Sequence, residues 1–530
     1  MHTRGVISLI LNAHLPFVRN FPVSDDGAGF SPEESWFFEA LSETYLPLLG
    51  VFDRLESDHV PFRVGLSLSP LLCQMLEDNY LLEKYLVYTD RQIEFGWREI
   101  ERTTGQPELA GLARMYLDAA VERRFSFTER YEKNILKAFD YYQRKGKIEI
   151  LGTPATHAFL PFLYPCAEAI QAQLETSLGC YRQYFGRHPQ GLWLPEMGWS
   201  SGLEPYLRSY NYSYTIADTH GFVFGQPSPT RGSFYPVKTP SGIFILSRDF
   251  YAGEALGGMI GAPYCDSNRD AGYDLPSEKV SPLVGSNGIR IRSGFRYWAY
   301  ASQGQYTVYD PAAAQDKTSE HARIFLETLS ARLEKAAQYM KEIPVCLCAC
   351  NADSFGRFWY EGPQFIEALF RMSGGYRGIQ FLTPSEYLCK MDITAVETSI
   401  PEFSSSGVNG YAETWLDSSN DWMYRHLFRA QDRMTELAQR FPDDSGLKER
   451  ALNQAARELL LAQASDWPKL LYRQESTEFA RSQIEEALRN FTTIYEALGS
   501  NYISTEWLTK LEKRHNVFPN INYRVFRKKS

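Results

Sequence analysis

The sequence has no apolar run that approaches the length of a membrane span. Gly5-Val-Ile-Ser-Leu-Ile-Leu11 is apolar but short, and no small-residue cleavage site follows it, so it reads as a strand rather than a secretion signal. Positive charge is not in excess. A net charge of −9, with 55 Lys and Arg against 64 Asp and Glu, argues against a nucleic-acid partner. The basic end Arg524–Lys529 is short and reads as a solvated tail. There are no internal repeats and no low-complexity segments, which excludes a solenoid. Nor do the eight cysteines form a pairing pattern. Only Cys346, Cys348 and Cys350 lie close together, and alternate spacing puts them on one face of a strand as packed thiols. Zinc sites favour two-residue spacings, so no metal and no cofactor are expected. Free thiols fit a cytoplasmic protein without a membrane partner.

What the chain does have is length and aromatic side chains. Its 530 residues hold two or three domains, or one large barrel with additions. Aromatics make up 14%, which suits both a large core and a carbohydrate site, since a flat ring packs against the apolar face of a pyranose.

Val6–Leu11 has the continuous apolar pattern of a strand buried on both faces. It ends in Asn12-Ala-His14-Leu-Pro. Phe62–Ser67, Glu149–Leu151, the apolar run that ends abruptly in Pro195-Glu196, Tyr214–Ala217, Phe244–Leu246, Val345–Cys350 and Ile379–Leu382 follow as further strands. Helical periodicity occupies most of the intervals, including a long helical insertion at about 70–145. The region from about 251 to 302 has little periodicity and reads as irregular loop. This alternation implies a parallel α/β barrel over residues 1–400. Beyond it the pattern is wholly helical, which places a helical domain at 401–530.

Polar residues gather at the predicted strand ends: His14, His157, Glu196, Asp218, Arg248, Asp249, Asn351 and Asp353, with Trp193, Trp199 and Trp359 nearby. Retaining glycoside chemistry uses two carboxyl groups, one as nucleophile and one as acid and base. Glu196, in Trp193-Leu-Pro-Glu196, is the candidate nucleophile, and the acid is sought around Asn351–Asp353. Asp218, Arg248 and Asp249 equally suit structural ion pairs.

These segments resemble glycoside hydrolase family 57, and within it the α-1,4-glucan branching enzymes. Asn12-Ala-His14-Leu-Pro, Gly152-Thr-Pro-Ala-Thr-His157 and Trp193-Leu-Pro-Glu196 are similar to the family's first three motifs. Asp270–Pro276, Tyr411–Leu427 and Ala464-Ser-Asp-Trp467 are similar to the branching group. The resemblance implies a (β/α)7 barrel with a helical C-terminal domain, an α-glucan such as glycogen or amylose as partner, and Glu196 as nucleophile. It also implies substrate contacts from His14, His157, Trp193, Arg248, Trp359, Trp415, Asp466 and Trp467. Trp467 equally suits a role as anchor of the helical domain.

The chain departs from the family at several points. Asn351 stands where the family's general-acid Asp is expected, and an amide donates no proton. Asn12 stands where the first motif begins with His, and Ser406 where the branching group has Trp. Asp353 faces the same side as Asn351 if the strand stays extended, which would make it a substitute acid; otherwise it serves to cap or support. Three readings follow: a branching-enzyme-like transferase with impaired chemistry, an inactive α-glucan-binding protein, or an α-glucanotransferase or amylase of altered specificity using Asp353.

Overall fold

A computed structural model describes residues 3–20, 30–285, 288–301 and 305–529. Ser286, Asn287 and Ser302, part of the stretch expected to be irregular, lie outside the described residues. The chain forms two compact units, each assembled from separate stretches of sequence. One comprises Met1–Leu66, Met75–Glu149 and Phe250–Tyr387; the other comprises Ser67–Gln74, Ile150–Asp249 and Leu388–Ser530.

The first unit is built on strand β1 (Gly5–Ala13), whose nine residues are all buried. β2 (Val64–Leu68) and β3 (Ile148–Leu151) follow in the chain. β10 (Val345–Asn351) runs parallel to β1 over seven residues, from Val6 opposite Val345 to Asn12 opposite Asn351. β11 (Ile379–Phe381) pairs parallel with Gly5–Ile7. Sheet order is β10-β1-β2-β3. Cys346 and Cys348 are buried on β10 and Cys350 is half-buried, as alternate packing requires. All eight cysteines are free thiols, and no cluster of metal-ligating side chains occurs among the described residues.

The stretch around 70–145 forms helices Pro70–Leu76, Asn79–Thr103, Pro107–Phe125 and Ile135–Arg144. Asp78 caps the second of these by accepting from the Leu81 N–H at 3.1 Å. The stretch 251–302 is more ordered than its composition suggests. It contains the helix Phe250–Gly257, the short helix Ala271–Asp274 and strand β8 (Trp298–Tyr300), which pairs antiparallel with β9 (Tyr306–Val308). Asp270 explains part of that order: its carboxylate accepts from the Gly272, Ser293 and Gly294 N–H groups and the Ser293 hydroxyl. One buried side chain thus satisfies backbone donors that a loop would leave open.

In the second unit β4 (Gly191–Leu192), β5 (Tyr214–Ala217) and β7 (Phe244–Ser247) are parallel neighbours, and β6 (Val237–Lys238) joins β7 antiparallel. Gly152, just past β3, makes a parallel bridge to Leu192. Gly191 has to be glycine, because an added Cβ would sit 2.1 Å from the Tyr214 ring. Helices Trp422–Arg440, Leu447–Ala462, Asp466–Arg473 and Thr477–Gly499 form the C-terminal part. Their shared core includes Met423, Leu427, Ala462, Trp467, Leu471 and Ile484. No helix among the described residues is long and apolar enough to cross a membrane.

Candidate active site

In the second unit the carboxyl ends of three successive parallel strands carry Glu196, Asp218 and Arg248. Chain reversal follows directly after each strand, which is how parallel α/β folds present reactive groups. After β4 the chain enters a single turn, Pro195–Met197, in which Glu196 adopts φ 57°, ψ 25° and Met197 has φ 55°. Consecutive left-handed residues that are not glycine are strained conformations, held only when their surroundings fix them. The fixing contacts are visible. The Ser406 N–H donates to the Glu196 carbonyl at 2.7 Å, and the Trp199 N–H to the Ser404 carbonyl at 2.9 Å. Gly198 lies flat against the Phe159 ring.

The Glu196 carboxylate has two partners. Lys469 Nζ lies 3.0 Å from Oε1, and the Ser406 hydroxyl lies 3.4 Å from Oε2. The Glu196 side chain retains 12% exposure and Lys469 24%, so the carboxylate reaches solvent beside a fixed cation. Lys469 comes from the helix Asp466–Arg473, one turn beyond Asp466. The sequence reading missed it. The available signal was its position: three residues after Asp466 on a helix puts the two on neighbouring faces. Ser406 had been noted only as a missing Trp.

His157, with φ 54° and 1% exposure, lies in the turn after β3. Its Nδ1 is 3.0 Å from the Ser465 hydroxyl, and Ser465 N–H donates to the His157 carbonyl at 3.3 Å. Ser465 immediately precedes half-buried Asp466, so His157, Asp466 and Lys469 belong to one connected segment. Trp193 is buried, and its indole N–H has no protein partner among the described residues. Arg248 pairs with Asp218 at 2.8 Å, and Asp218 also caps the helix Thr219–Val223. The ion pair that the sequence allowed for these two is present. Asp249 is buried beside it in sequence.

Other aromatic candidates are packing residues. Trp415 is 1% exposed, stacks on Phe159 at 5.2 Å and donates to the Ser465 carbonyl at 3.2 Å. Trp467 is equally buried and donates to the Leu461 carbonyl at 2.7 Å, so it anchors the helices. Trp199 is fully buried and bonded to the Pro401 carbonyl at 2.9 Å.

In the first unit Asn12 and Asn351 are cross-strand partners at the carboxyl ends of β1 and β10, with half-buried His14 just beyond β1. Asn351 is exposed. The condition under which Asp353 would face the same side as Asn351 is not met. β10 stops at Asn351 and the chain turns into a 3-10 segment, Ala352–Ser354, so alternation does not carry on. Asp353 is buried; Arg357 Nη1 donates to it at 3.2 Å and Tyr45 at 3.5 Å, while Arg357 Nε donates to Glu39 at 3.1 Å. Burial pushes the Asp353 carboxyl up, against the pull of the Arg357 guanidinium. Trp359 is also interior, packed against Tyr264 and Phe365, with its indole N–H lacking a partner among the described residues.

A carboxylate held in a strained turn at the end of a parallel strand places the chain among α/β proteins that carry polar groups at their strand ends. Comparison with known proteins narrows this. Residues 8–261 match the profile described as Glycosyl hydrolase family 57, and residues 426–526 match that described as 1,4-alpha-glucan branching enzyme, C-terminal. The first match contains His14, His157 and Glu196 and the second contains Asp466 and Lys469; Asn351 lies outside both. The chain is 33% identical to the novel alpha-amylase AmyC from Thermotoga maritima, covering 99% of this chain and 100% of that one, with a TM-score of 0.90. A GH57-type branching enzyme from Pyrococcus horikoshii is 26% identical, with a TM-score of 0.89 over 99% of this chain and 97% of that one. The 1,4-alpha-glucan branching enzyme TK1436 of Thermococcus kodakarensis is 26% identical over 97% of this chain and 77% of its own length. The chain belongs to glycoside hydrolase family 57, and its fold class is the (β/α)7 type of that family with a helical C-terminal region.

Proposed function

We propose that the protein acts on α-1,4-glucans such as glycogen or amylose, in the manner of a branching enzyme. Glu196 takes the glucan as a covalent ester and the fragment passes to a glucan 6-hydroxyl, with retention at the anomeric carbon. The observation that carries this reading is the Glu196 carboxylate, fixed in a strained strand-end turn between Lys469 and Ser406 inside a family match. Within this reading His14, His157, Trp193 and Asp466 contact sugar. Arg248 contributes through its ion pair with Asp218, and Trp359, Trp415 and Trp467 hold the elements in place. Residues 1–400 supply the catalytic-type part and 401–530 the helical part. Free thiols throughout the chain accord with a cytoplasmic location.

Asn351 in place of an acid slows the cleavage step, by about 10²–10⁴-fold for loss of a general acid. A second reading, an α-glucan-binding protein without turnover, draws on the same residue. Amylose incubated with the protein separates the two. New α-1,6 linkages that vanish in Glu196→Gln support transfer. Reducing ends alone indicate hydrolysis, the activity named for the Thermotoga relative. Glucan binding with neither product supports the binding protein and rejects the enzyme.

A further inference from the structure

The helix Thr219–Val223 begins where β5 ends, and it is fastened to the stretch 402–410 of the same unit. The Glu402 N–H donates to the Gly221 carbonyl at 2.9 Å, and His220 Nε2 lies 2.8 Å from the Gly410 carbonyl. A carbonyl only accepts, so Nε2 carries the hydrogen and donates. The same carbonyl accepts from the Ser405 N–H at 2.8 Å. The next residue is Ser406, which gives its N–H to the Glu196 carbonyl and sets its hydroxyl beside the Glu196 carboxylate. The Gly410 carbonyl is therefore a node with His220 on one side and the Glu196 turn on the other. The stretch needs such a node: Gly407, Asn409, Gly410 and Ala412 have φ of 87°, 56°, 81° and 70°, outside any helix or strand ladder. The fit at Gly410 is close, since an added Cβ would sit 2.6 Å from His220 Nε2. The imidazole is itself held, by Tyr411 edge-on at 5.2 Å and by Asp218, whose Oδ1 lies 3.7 Å from Nδ1 and whose Oδ2 pairs with Arg248.

We propose that His220 is a positioning residue for Glu196. Its Nε2–H fixes the Gly410 carbonyl, the carbonyl fixes Ser405, and Ser406 then holds the strained turn and its carboxylate in one geometry. This rests on Glu196 as nucleophile. Asp218 and Arg248 back the imidazole from its other nitrogen, so the ends of β5 and β7 serve the carboxylate that follows β4. His220 acts through the loop alone. Losing its hydrogen bond therefore slows the chemical step and leaves the affinity for glucan in place.

The test compares two variants of the full chain, by steady-state kinetics on amylose and by hydrogen exchange of peptides spanning 404–410. His220→Phe keeps a ring beside Tyr411 but donates nothing, and His220→Gln donates from a side-chain amide. His220→Phe should lower kcat by about 10²-fold with KM little changed, the scale of a reacting group misplaced by about 1 Å. It should also speed exchange in 404–410. His220→Gln should recover most of both. Gly410→Ala, which crowds Nε2 from the loop side, should reproduce the loss, and the double variant should be no worse than either single one, as expected of two residues in one contact. Unchanged kcat per folded molecule, a loss confined to KM, or a loss that His220→Gln does not recover overturns the inference and leaves the nucleophile reading standing. Turnover that survives Glu196→Gln, or no turnover by the wild type, overturns the nucleophile reading; exchange in 404–410 then decides whether His220 holds the turn, and unchanged exchange removes that too. Gly410→Ala reaches the same contact with His220 intact, so a poorly folding His220→Phe variant leaves the inference falsifiable.

Discussion

Glu196 occupies a left-handed backbone that costs about 1–2 kcal/mol for a residue with a Cβ, and its side chain is pinned by Lys469 and Ser406. Removing the cation by Lys469→Met frees the carboxylate to rotate. Misplacement of a reacting group by about 1 Å costs about 10²-fold, so kcat is expected to fall by roughly that factor with KM little changed. Steady-state kinetics on the donor that the protein turns over decide this, and a change confined to KM would make Lys469 a substrate contact instead. Asp353 behaves oppositely. Asp353→Ala removes hydrogen bonds to a charged group, worth about 1.5–3 kcal/mol, and should lower the thermal midpoint while leaving turnover per folded molecule unchanged. Activity lost without loss of stability would return Asp353 to the chemistry. At this scale the sequence was legible where chemistry names itself. Glu196 stood out as a carboxylate after an apolar run. Lys469 did not, because its role depends on a contact 273 residues away in the chain. Asp353 stayed open between substitute acid and support, because alternation does not say where the strand stops.

The element that matters most is the turn from Trp193 to Trp199. Its shape depends on ring packing as well as hydrogen bonds: Gly198 lies against Phe159, which stacks on Trp415 with planes 5° apart. A Cβ added at Gly198 would meet Phe159 Cε2 at 2.4 Å, and that ring is held by Trp415 stacked on it and Phe162 edge-on to it. Gly198→Ala is expected to cost about 1–3 kcal/mol by overpacking and to displace Glu196. A denaturant melt with a matched activity assay measures both, and unchanged values would show that the turn yields freely. Among the helices, Glu458 on Leu447–Ala462 meets His515 at the end of Thr505–Arg514, with Nδ1 to Oε2 at 2.8 Å. Burial works against the imidazolium, but the Glu458 charge and hydrogen bond outweigh it, and the His515 pKa is raised above 6.5. A raised value means that the pair's stability is fully present below pH 6.5 and is lost as pH rises through the folded value. His515→Leu leaves the buried Glu458 carboxylate with the Gln454 and Asn490 amides but without the imidazole, and should cost about 1.5–3 kcal/mol, with the pH dependence of the melt above pH 6.5 flattened. These helices were readable from periodicity alone. The short helix Ala271–Asp274 was not, because buried Asp270, which accepts from Gly272, Ser293 and Gly294, ties it to backbone some twenty residues on rather than to a local pattern.

At the scale of the whole molecule, sequence composition separates residues 401–530 from what precedes them, but packing does not follow that line. Leu388–Ser530 shares a compact unit with Ile150–Asp249. Ala158 bridges to Ala464, Trp199 to Ser404 and Gln226 to Ile400. Thr156 donates to the Leu460 carbonyl at 2.7 Å, Gln173 to Gln463 at 2.9 Å and Gln171 to the Val525 carbonyl at 2.6 Å. Thr156 and Gln173 are buried and also bond each other, at 2.8 Å and 3.0 Å, so cutting the chain at residue 400 would remove their bonds to Leu460 and Gln463 and uncover the pair. Each such group costs about 1–3 kcal/mol, so the loss is a large fraction of the net stability of about 5–15 kcal/mol typical of a folded domain. Lys469 and the Ser465 contact to His157 would go as well. A chain ending at residue 400 is therefore expected to keep Ile150–Asp249 unfolded and open to protease, and the intact protein should show 150–249 and 401–530 exchanging their amide protons as one cooperative unit. Hydrogen exchange read by mass spectrometry gives both results. A truncated chain whose residues 150–249 are as protected as in the full protein would mean that the helical region is an appendage, and that the Glu196 turn is held by its own strands alone.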